Sequence, residues 1–486
     1  MTRASHLPVY ETRYGLLLLN QWVVCWGGEW QHAAPAPRFW GCLKVPERWA
    51  ESGVRGHRVW HRALGLMGAI VEDVDVDDPD LIVVRVRPVK RWAGRCGRCR
   101  RRSPWYDRGA GRRQWRTVDV GLSRAVVEAE APRVSCREHG VVVAHVPWAR
   151  HGAGHTLVFD RTVAWLATQT SKTATTQLLR ISWRTVGAIV SRYWADHERL
   201  QDRLRGVRRL GIDEISYKRG HRFLTVVVDH DTGHLLWAAP GRDSATLHKF
   251  FDLLGPDRCA LLTHVSADGA TYISTVVKQR CPNAVRCADP FHVVGWATDA
   301  LDKLRRIVIS TARRQARRAA VDRIAGGSSP VVTAGQAGAD LVKGMAGARS
   351  ALLRNSEDLT ENQQVKLAWI ALTDPDLHRA YLLKEGLRLI FKLPVEQAAT
   401  ALENWITWAR TAGIGLFSSL AKRITRHRAS ILAAIEHHMS NGRVESVNAK
   451  IRLITRVAFG FASPHALIAL AMLRLGGHRP ALPGRG

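Results

Sequence analysis

Acidic residues are scarce in this chain. Its 486 residues carry 42 Asp and Glu against 72 Lys and Arg, giving a formal charge of +30 and a pI near 10.8. A soluble chain this basic gains free energy by neutralising phosphate and releasing its counterions, so nucleic acid is the expected partner. Attraction to a membrane surface is the rival, but there is no lipidation motif. Long apolar runs are also missing: none approaches the roughly 20 residues needed to span a bilayer. The run "GLLLL" at 15–19 is too short even for the apolar part of a signal peptide. Cysteines are few, eight in all, and three of them fall in one zinc-like pattern, which excludes a disulfide framework. A reducing compartment such as the cytoplasm fits better. Apolar content is ample at 46%, enough for large cores and three or more domains.

The chain changes character along its length. Residues 1–66 hold six of the eighteen tryptophans and show no sustained period, so they are expected to be either a leader translated from upstream or a small domain of their own. Met67 then opens a strand-like text, "IVEDVDVDDPDLIVVRVRP". A module over 67–155 contains two knuckles, Cys96-x2-Cys99 and Cys136-x2-His139. Four soft or borderline ligands in two pairs suit a closed tetrahedral zinc site. Between the knuckles, Arg100, Arg101, Arg102, Arg112 and Arg113 interleave with aromatics, a pattern suited to the DNA backbone and shared with solvated basic loops.

Residues 156–200 read as short helices, with Thr173 and Ser182 available to cap the last two. The apolar spacing of Leu178, Leu179, Val186, Ile189 and Val190 matches a helix-turn-helix. Its last helix would lie in a major groove with Ser182, Arg184 and Thr185 near its N-terminus. From 208 the period becomes two. Three meandering strands are followed by alternating helices and strands over 205–325, the order of an RNase H-like core. "GGSSPVVTAGQAGAD" at 326–340 breaks that pattern and begins a helical insertion running to about 438. The core resumes over 439–475, and 476–486 is a tail.

Three carboxylates stand out. Asp213 lies on the first, central strand of this order, in "LGIDEISY". Asp268 lies just past the fourth, in "THVSADGATY". Glu445 is the one acid of "SNGRVESVNAKIRLITR", a helix with an apolar stripe of Val444, Val447, Ile451 and Ile454 and natural N-caps in Ser440 and Asn441. Each has a plain alternative: a strand-end residue, a helix cap, and an intrahelical ion pair with Arg452. Together they repel unless cations are present, and two Mg²⁺ ions about 4 Å apart would both neutralise them and drive phosphodiester chemistry. Arg443, Asn448, Lys450, Arg452 and Arg456 around Glu445 would then hold the DNA strand. Asp289, in "CADPFHVV", competes with Asp268. It is expected on a fifth strand one step further from Asp213, capping a helix opened by Pro290.

From about 67 to 475 the chain resembles bacterial DDE transposases of the ISL-three insertion-sequence family. The resemblance rests on "RCGRC", "CREHG", "VPWAR", "SKTATTQLLRISWRTVG", "IDEISYKRGHRFLTVVVD", "ADPFHVV", "LLKEGLRLIF" and "NGRVESVNAKIRLITRVAFGF", in this order. It implies a multidomain α/β protein: a zinc-ribbon-like module, a helix-turn-helix, and an RNase H-like catalytic core with a helical insertion. It implies a catalytic triad at Asp213, Asp268 and Glu445 with two Mg²⁺ or Mn²⁺ ions, and a homo-oligomer on DNA. The implied reaction is cutting at terminal inverted repeats and transfer of a 3′-OH into double-stranded target DNA. Residues 1–66 fall outside the resemblance. A DNA-binding derivative without catalysis is the alternative, though all three acids are in place. A basic nuclease acting on RNA would share the fold, but a helix-turn-helix argues against it.

Overall fold

The computed structural model describes residues 53–324 and 330–484. Helix α1 (Gly53–Ala63) leads into Leu64 and Leu66, which are 0% and 1% exposed. Strands β1 (Ala69–Asp78) and β2 (Leu81–Pro88) form a hairpin where the sequence reads as one continuous segment. The fold-back is local: Pro79 sits in the turn, and Asp80 N donates to Asp78 Oδ1 at 2.8 Å. Strands β3 (Trp105–Asp107), β4 (Arg112–Arg116), β5 (Arg124–Glu130), β6 (Arg133–Cys136) and β7 (Gly140–Val143) complete two sheets, ordered β1-β2-β5-β4 and β3-β6-β7. Leu64 and Leu66 pack with Val84, Trp115, Val127 and Trp148 in the core of the larger sheet. Neither of the two expectations for residues 1–66, a leader or a small domain of their own, describes Trp60, Leu64 and Leu66, whose side chains belong to this core. Residues 1–52 lie outside the described residues.

Helices α2 (Leu157–Gln169), α3 (Lys172–Leu179) and α4 (Trp183–Glu198) follow, capped by the side chains of Thr156, Ser171 and Ser182. Ser171, not Thr173, caps α3. The turn between α3 and α4 passes through Arg180 in the left-handed region, φ 52°, and its guanidinium holds Asp119 at 2.8 Å. The turn is thereby tied to the preceding β module.

The central sheet contains β8 (Arg209–Lys218), β9 (Arg222–Asp229) and β10 (Leu235–Pro240). Then come α5 (Ser244–Leu254), α6 (Pro256–Ala260), β11 (His264–Ala267), α7 (Thr271–Arg280) and β12 (Val285–Ala288). Its order is β10-β9-β8-β11-β12, with β11 parallel to both β8 and β12, as the sequence order predicts. Helix α8 (Pro290–Ile324) leaves the end of β12. It is followed by α9 (Pro330–Gly344), α10 (Ala348–Leu353), α11 (Glu361–Thr373), α12 (Pro375–Ile390), α13 (Val395–Thr411), α14 (Gly415–Arg426) and α15 (Arg428–Glu436). Val293, Ala297 and Leu301 of α8 share one core with Leu352, Leu387, Leu402 and Phe417. The helical bundle thus begins near 293 rather than at 326, because the inward stripe of α8 already faces it. Within the 326–340 run, expected to begin a helical region, helix α9 opens on Pro330.

Helices α16 (Gly442–Val457) and α17 (Pro464–Leu475) return to the sheet. Val444, Val447, Ile451 and Ile454 of α16 are all buried, as the stripe predicts. They share a core with Ile215 and Val226 of the sheet, Leu467 and Leu473 of α17, and Phe159 and Val186 of the helix-turn-helix. Helices α2 and α4 are therefore packed onto the same core as the Glu445 helix. Among the described residues no helix is long and apolar enough to cross a membrane.

Candidate catalytic edge and zinc centre

Parallel pairing lines three aspartates along one edge of the sheet. On β8 and β11, Ile212 is opposite Ala267, and on β11 and β12, Ala267 is opposite Ala288. The next residue on each strand is an aspartate, so Asp213, Asp268 and Asp289 stand in one row at the C-terminal edge. Neighbouring strands lie about 4.8 Å apart, so Asp268 is one step from Asp213 and Asp289 is two.

Helix α16 is fastened across this edge by two asparagines. Asn441 donates its backbone N–H to Asp289 Oδ1 at 3.0 Å and its amide to Ile212 O at 3.4 Å, and it accepts from the Ser266 hydroxyl. Ser266 also meets His230 Nε2 at 2.6 Å. Asn448, one turn beyond Glu445, donates to Asp213 Oδ2 at 2.8 Å. Asn441 precedes the helix as expected, but its side chain is spent on the sheet, not on capping. Gly211 permits the close approach: a Cβ there would lie 2.3 Å from Val444 Cγ2.

Burial raises the pKa of Asp213 to about 6, and the carboxylates of Asp268 and Asp289 push in the same direction. Burial also raises Glu445, with Asp289 as the main repelling charge. Glu445 forms no ion pair within 4 Å among the described residues, so the Arg452 alternative is not what the helix does. Asp268 accepts only from Ala270 N, at 2.9 Å, while Arg286 N–H grips its backbone carbonyl at 2.6 Å. Both carboxylate oxygens of Asp289 are engaged, Oδ1 by Asn441 and Oδ2 by His292. Asp289 accepts from His292 N at 3.3 Å, which is the expected cap of α8, and it also holds His292 Nδ1 at 2.5 Å. This pairing raises His292 to about 9. Sequence reasoning missed His292 and Arg286 and read Asn441 only as a helix cap; the position of His292 three residues after an expected cap was the one available signal.

The basic residues of this helix divide. Arg443, Lys450, Arg452 and Arg456 are exposed, and Arg443 is anchored to Asp231 O at 2.8 Å. Asn448 is 2% exposed and bound to Asp213, so its assignment as a DNA contact is corrected.

The four zinc-type ligands converge. Atoms of Cys96, Cys99, Cys136 and His139 all lie within 4.8 Å of one another, and among the described residues this is the one group of metal-ligating side chains that does so; Asp213, Asp268 and Glu445 do not form such a group. Cys99 Sγ and Cys136 Sγ are 3.7 Å apart, and Cys136 Sγ is 3.7 Å from His139 Nδ1. A tetrahedron with Zn–S bonds of about 2.3 Å has edges of about 3.8 Å, so the donor set fits zinc. The hydrogen bond with His139 lowers Cys136 to about 6, toward the thiolate that zinc requires. Gly97 is required in the first knuckle, since a Cβ there would meet Val143 O at 2.5 Å.

Arg100, Arg101 and Arg102 are exposed beside the knuckle, with Arg101 3.3 Å from Glu138. Arg112 is paired with Glu128 and Glu130 at 3.1 and 3.2 Å, and Arg113 donates to Ala153 O at 2.7 Å while lying over Trp115. These two arginines brace their own module, so they are corrected as DNA contacts. Ser182 is committed to capping Thr185 N at 3.1 Å, whereas Arg184 is exposed at the same helix end.

Comparison with known proteins agrees with this geometry. A family profile described as "Transposase", for the DDE domain of ISL3 elements, matches residues 210–471. The helix-turn-helix domain of transposase family ISL3 matches 144–194, and the zinc-finger of transposases IS204/IS1001/IS1096/IS1165 matches 92–139. The chain is 56% identical over 438 residues to the transposase for insertion sequence element IS1557 of two Mycobacterium tuberculosis strains, covering 89% of this chain and 98% of the relative. It is 28% identical over 359 residues to the transposase for IS1001 of Bordetella parapertussis, covering 72% of this chain and 81% of that one. From the zinc knuckles through the carboxylate edge, the chain belongs to the ISL3 family of insertion-sequence transposases.

Proposed function

We propose that this transposase cuts DNA at terminal inverted repeats and joins the freed 3′-OH to target DNA, using Asp213, Asp268 and Glu445 as a divalent-metal triad. The observation that carries this reading is the strand register, which sets Asp213 and Asp268 side by side beneath the helix bearing Glu445. The donor set is all oxygen, and among the described residues the buried Asn448 Oδ1 beside Asp213 has no partner, which suits a hard, hydrated cation such as Mg²⁺ or Mn²⁺. Two such ions, when bound, would activate the attacking oxygen and stabilise the leaving one.

The protein's own part is positioning. Asn448 fixes the rotamer of Asp213, Arg286 fixes the backbone of Asp268, and Asn441 docks the start of the Glu445 helix. Asp289 serves as anchor for Asn441 and His292 rather than as a triad member, since both of its carboxylate oxygens are already hydrogen-bonded. Exposed Arg184, Arg443, Lys450, Arg452 and Arg456 supply cationic contacts for the DNA backbone. End-labelled inverted-repeat DNA incubated with the protein tests the reading: a nick at the element end in Mg²⁺ but not in calcium-free, magnesium-free buffer supports it, and binding with no cleavage in either Mg²⁺ or Mn²⁺ contradicts it.

A further inference from the structure

Helix α8 is 35 residues long and starts beside Asp289, at the edge that carries Asp213 and Asp268. At 1.5 Å per residue it reaches about 52 Å from that edge. Its arginines fall into two classes. Nearer the edge, Arg305 and Arg306 share one carboxylate, Asp302, at 2.8 and 3.1 Å. Further out, Arg313, Arg314 and Arg317 are exposed, and among the described residues none has a carboxylate within 4 Å. No acid occurs in α8 from Lys303 to Ala320.

The distal arginines also share one side. Ala312 and Ala319 are buried at 2% and 1%, and α9 presses closely on this face, where a Cβ on Gly338 would lie 2.8 Å from Ala312 O. At about 100° per residue, Arg313, Arg314 and Arg317 span about 100° of arc on the side away from α9. Exposed Arg318 extends the same face. Arg314 is steadied by Thr311 Oγ1 at 3.2 Å. Packing therefore holds the helix rigid and presents uncompensated guanidinium groups, the side chains best matched to phosphate.

We propose that this outer face of α8 is a second phosphate-binding surface for duplex DNA, about one helical turn from the scissile phosphate. Arg313 is 24 positions beyond Asp289, about 36 Å along the helix, and one turn of B-form DNA is about 34–36 Å. The placement rests on the reading that the scissile phosphate sits at the Asp213–Asp268 edge; the binding itself does not.

The test uses the full chain and a linear duplex ending in the terminal inverted repeat, in magnesium-free buffer. Each phosphate contact contributes about 0.9 to the slope of log affinity against log salt. The triple variant Arg313→Gln/Arg314→Gln/Arg317→Gln is expected to lower that slope by about 2–3 and to weaken binding at least tenfold at about 0.1 M salt. The corresponding triple Lys variant should keep the wild-type slope, which separates lost charge from a damaged helix. Phosphate-ethylation interference should disappear in the Gln variant about ten base pairs from the cut. An unchanged slope with intact wild-type binding overturns the proposal while leaving the catalytic reading standing. Interference at another distance with a reduced slope refutes the one-turn placement. Failure of the wild-type chain to bind the duplex at all would refute the DNA reading and this surface with it.

Discussion

Asn448 donates a 2.8 Å hydrogen bond to Asp213 across the gap between α16 and β8, joining residues 235 positions apart. A hydrogen bond to a charged group contributes about 1.5–3 kcal/mol. Asn448→Ala is therefore expected to cut the cleavage rate by about 10–100-fold while leaving DNA affinity unchanged, because the side chain is buried. Asn448→Asp should be worse, since it sets a second carboxylate against Asp213. Gel-shift and single-turnover cleavage assays on the same preparations check this; a fall in affinity that matches the fall in rate would return Asn448 to the DNA surface.

Asp268 and Asp289 have different work in the structure, and substitution should separate them. Asp268→Asn is expected to abolish Mg²⁺-dependent cleavage. Asp289→Asn keeps the cap and an acceptor for Asn441 but loses the charge that holds His292, so cleavage should fall by no more than about tenfold. The stability effect depends on pH. The pKa of His292 is raised from its ordinary 6.5 to about 9, chiefly by Asp289. Its contribution is fully present below pH 6.5 and is lost as pH rises through 9. With a third of the His292 side chain exposed, screening leaves about 1 kcal/mol. Denaturant melts in magnesium-free buffer should show Asp289→Asn destabilised at pH 6 and level with wild type near pH 10. The reverse pH trend would show that the pair is not charged.

One zinc per chain is expected, held by Cys96, Cys99, Cys136 and His139. Cys96→Ser should lose it and unfold the β3-β6-β7 sheet, since structural zinc sites supply folding energy directly. Elemental analysis after chelator-free purification provides the check, and a zinc-free wild-type protein that still folds would refute the assignment.

Removal of residues up to 66 should destabilise the larger N-terminal sheet. Leu64 and Leu66 are buried at 0% and 1%, and losing both costs about 3–5 kcal/mol. A chain beginning at Met67 is expected to melt clearly lower than one beginning at Val54. Equal melting temperatures would show that the α1 segment is dispensable.

Much of this architecture could be read from residue order. The knuckle spacing, the N-cap Ser182, the buried stripe of α16 and the order of β8, β11 and β12 all carry local signals of ligand type, capping or period. Apart from His292, what escaped has no local signal. Asn441 and Asn448 look like ordinary polar residues in a basic helix, and only the approach over Gly211 turns them toward Asp213 and Ile212. Arg112 reads as a DNA contact until β5 brings Glu128 and Glu130 beside it. Leu64 and Leu66 follow a stretch with no clear period, so their burial against Trp115 depends on a sheet formed later in the chain.

The central claim is that Glu445 belongs to the catalytic triad and not to the DNA-binding surface. The decisive measurement is single-turnover cleavage of a labelled inverted-repeat end by Glu445→Gln, beside its affinity for the same DNA. Loss of a metal ligand should cost several kcal/mol of transition-state stabilisation, or about 10³-fold or more in rate, with affinity held within about threefold of wild type. Cleavage within tenfold of wild type, at equal binding, would contradict the account.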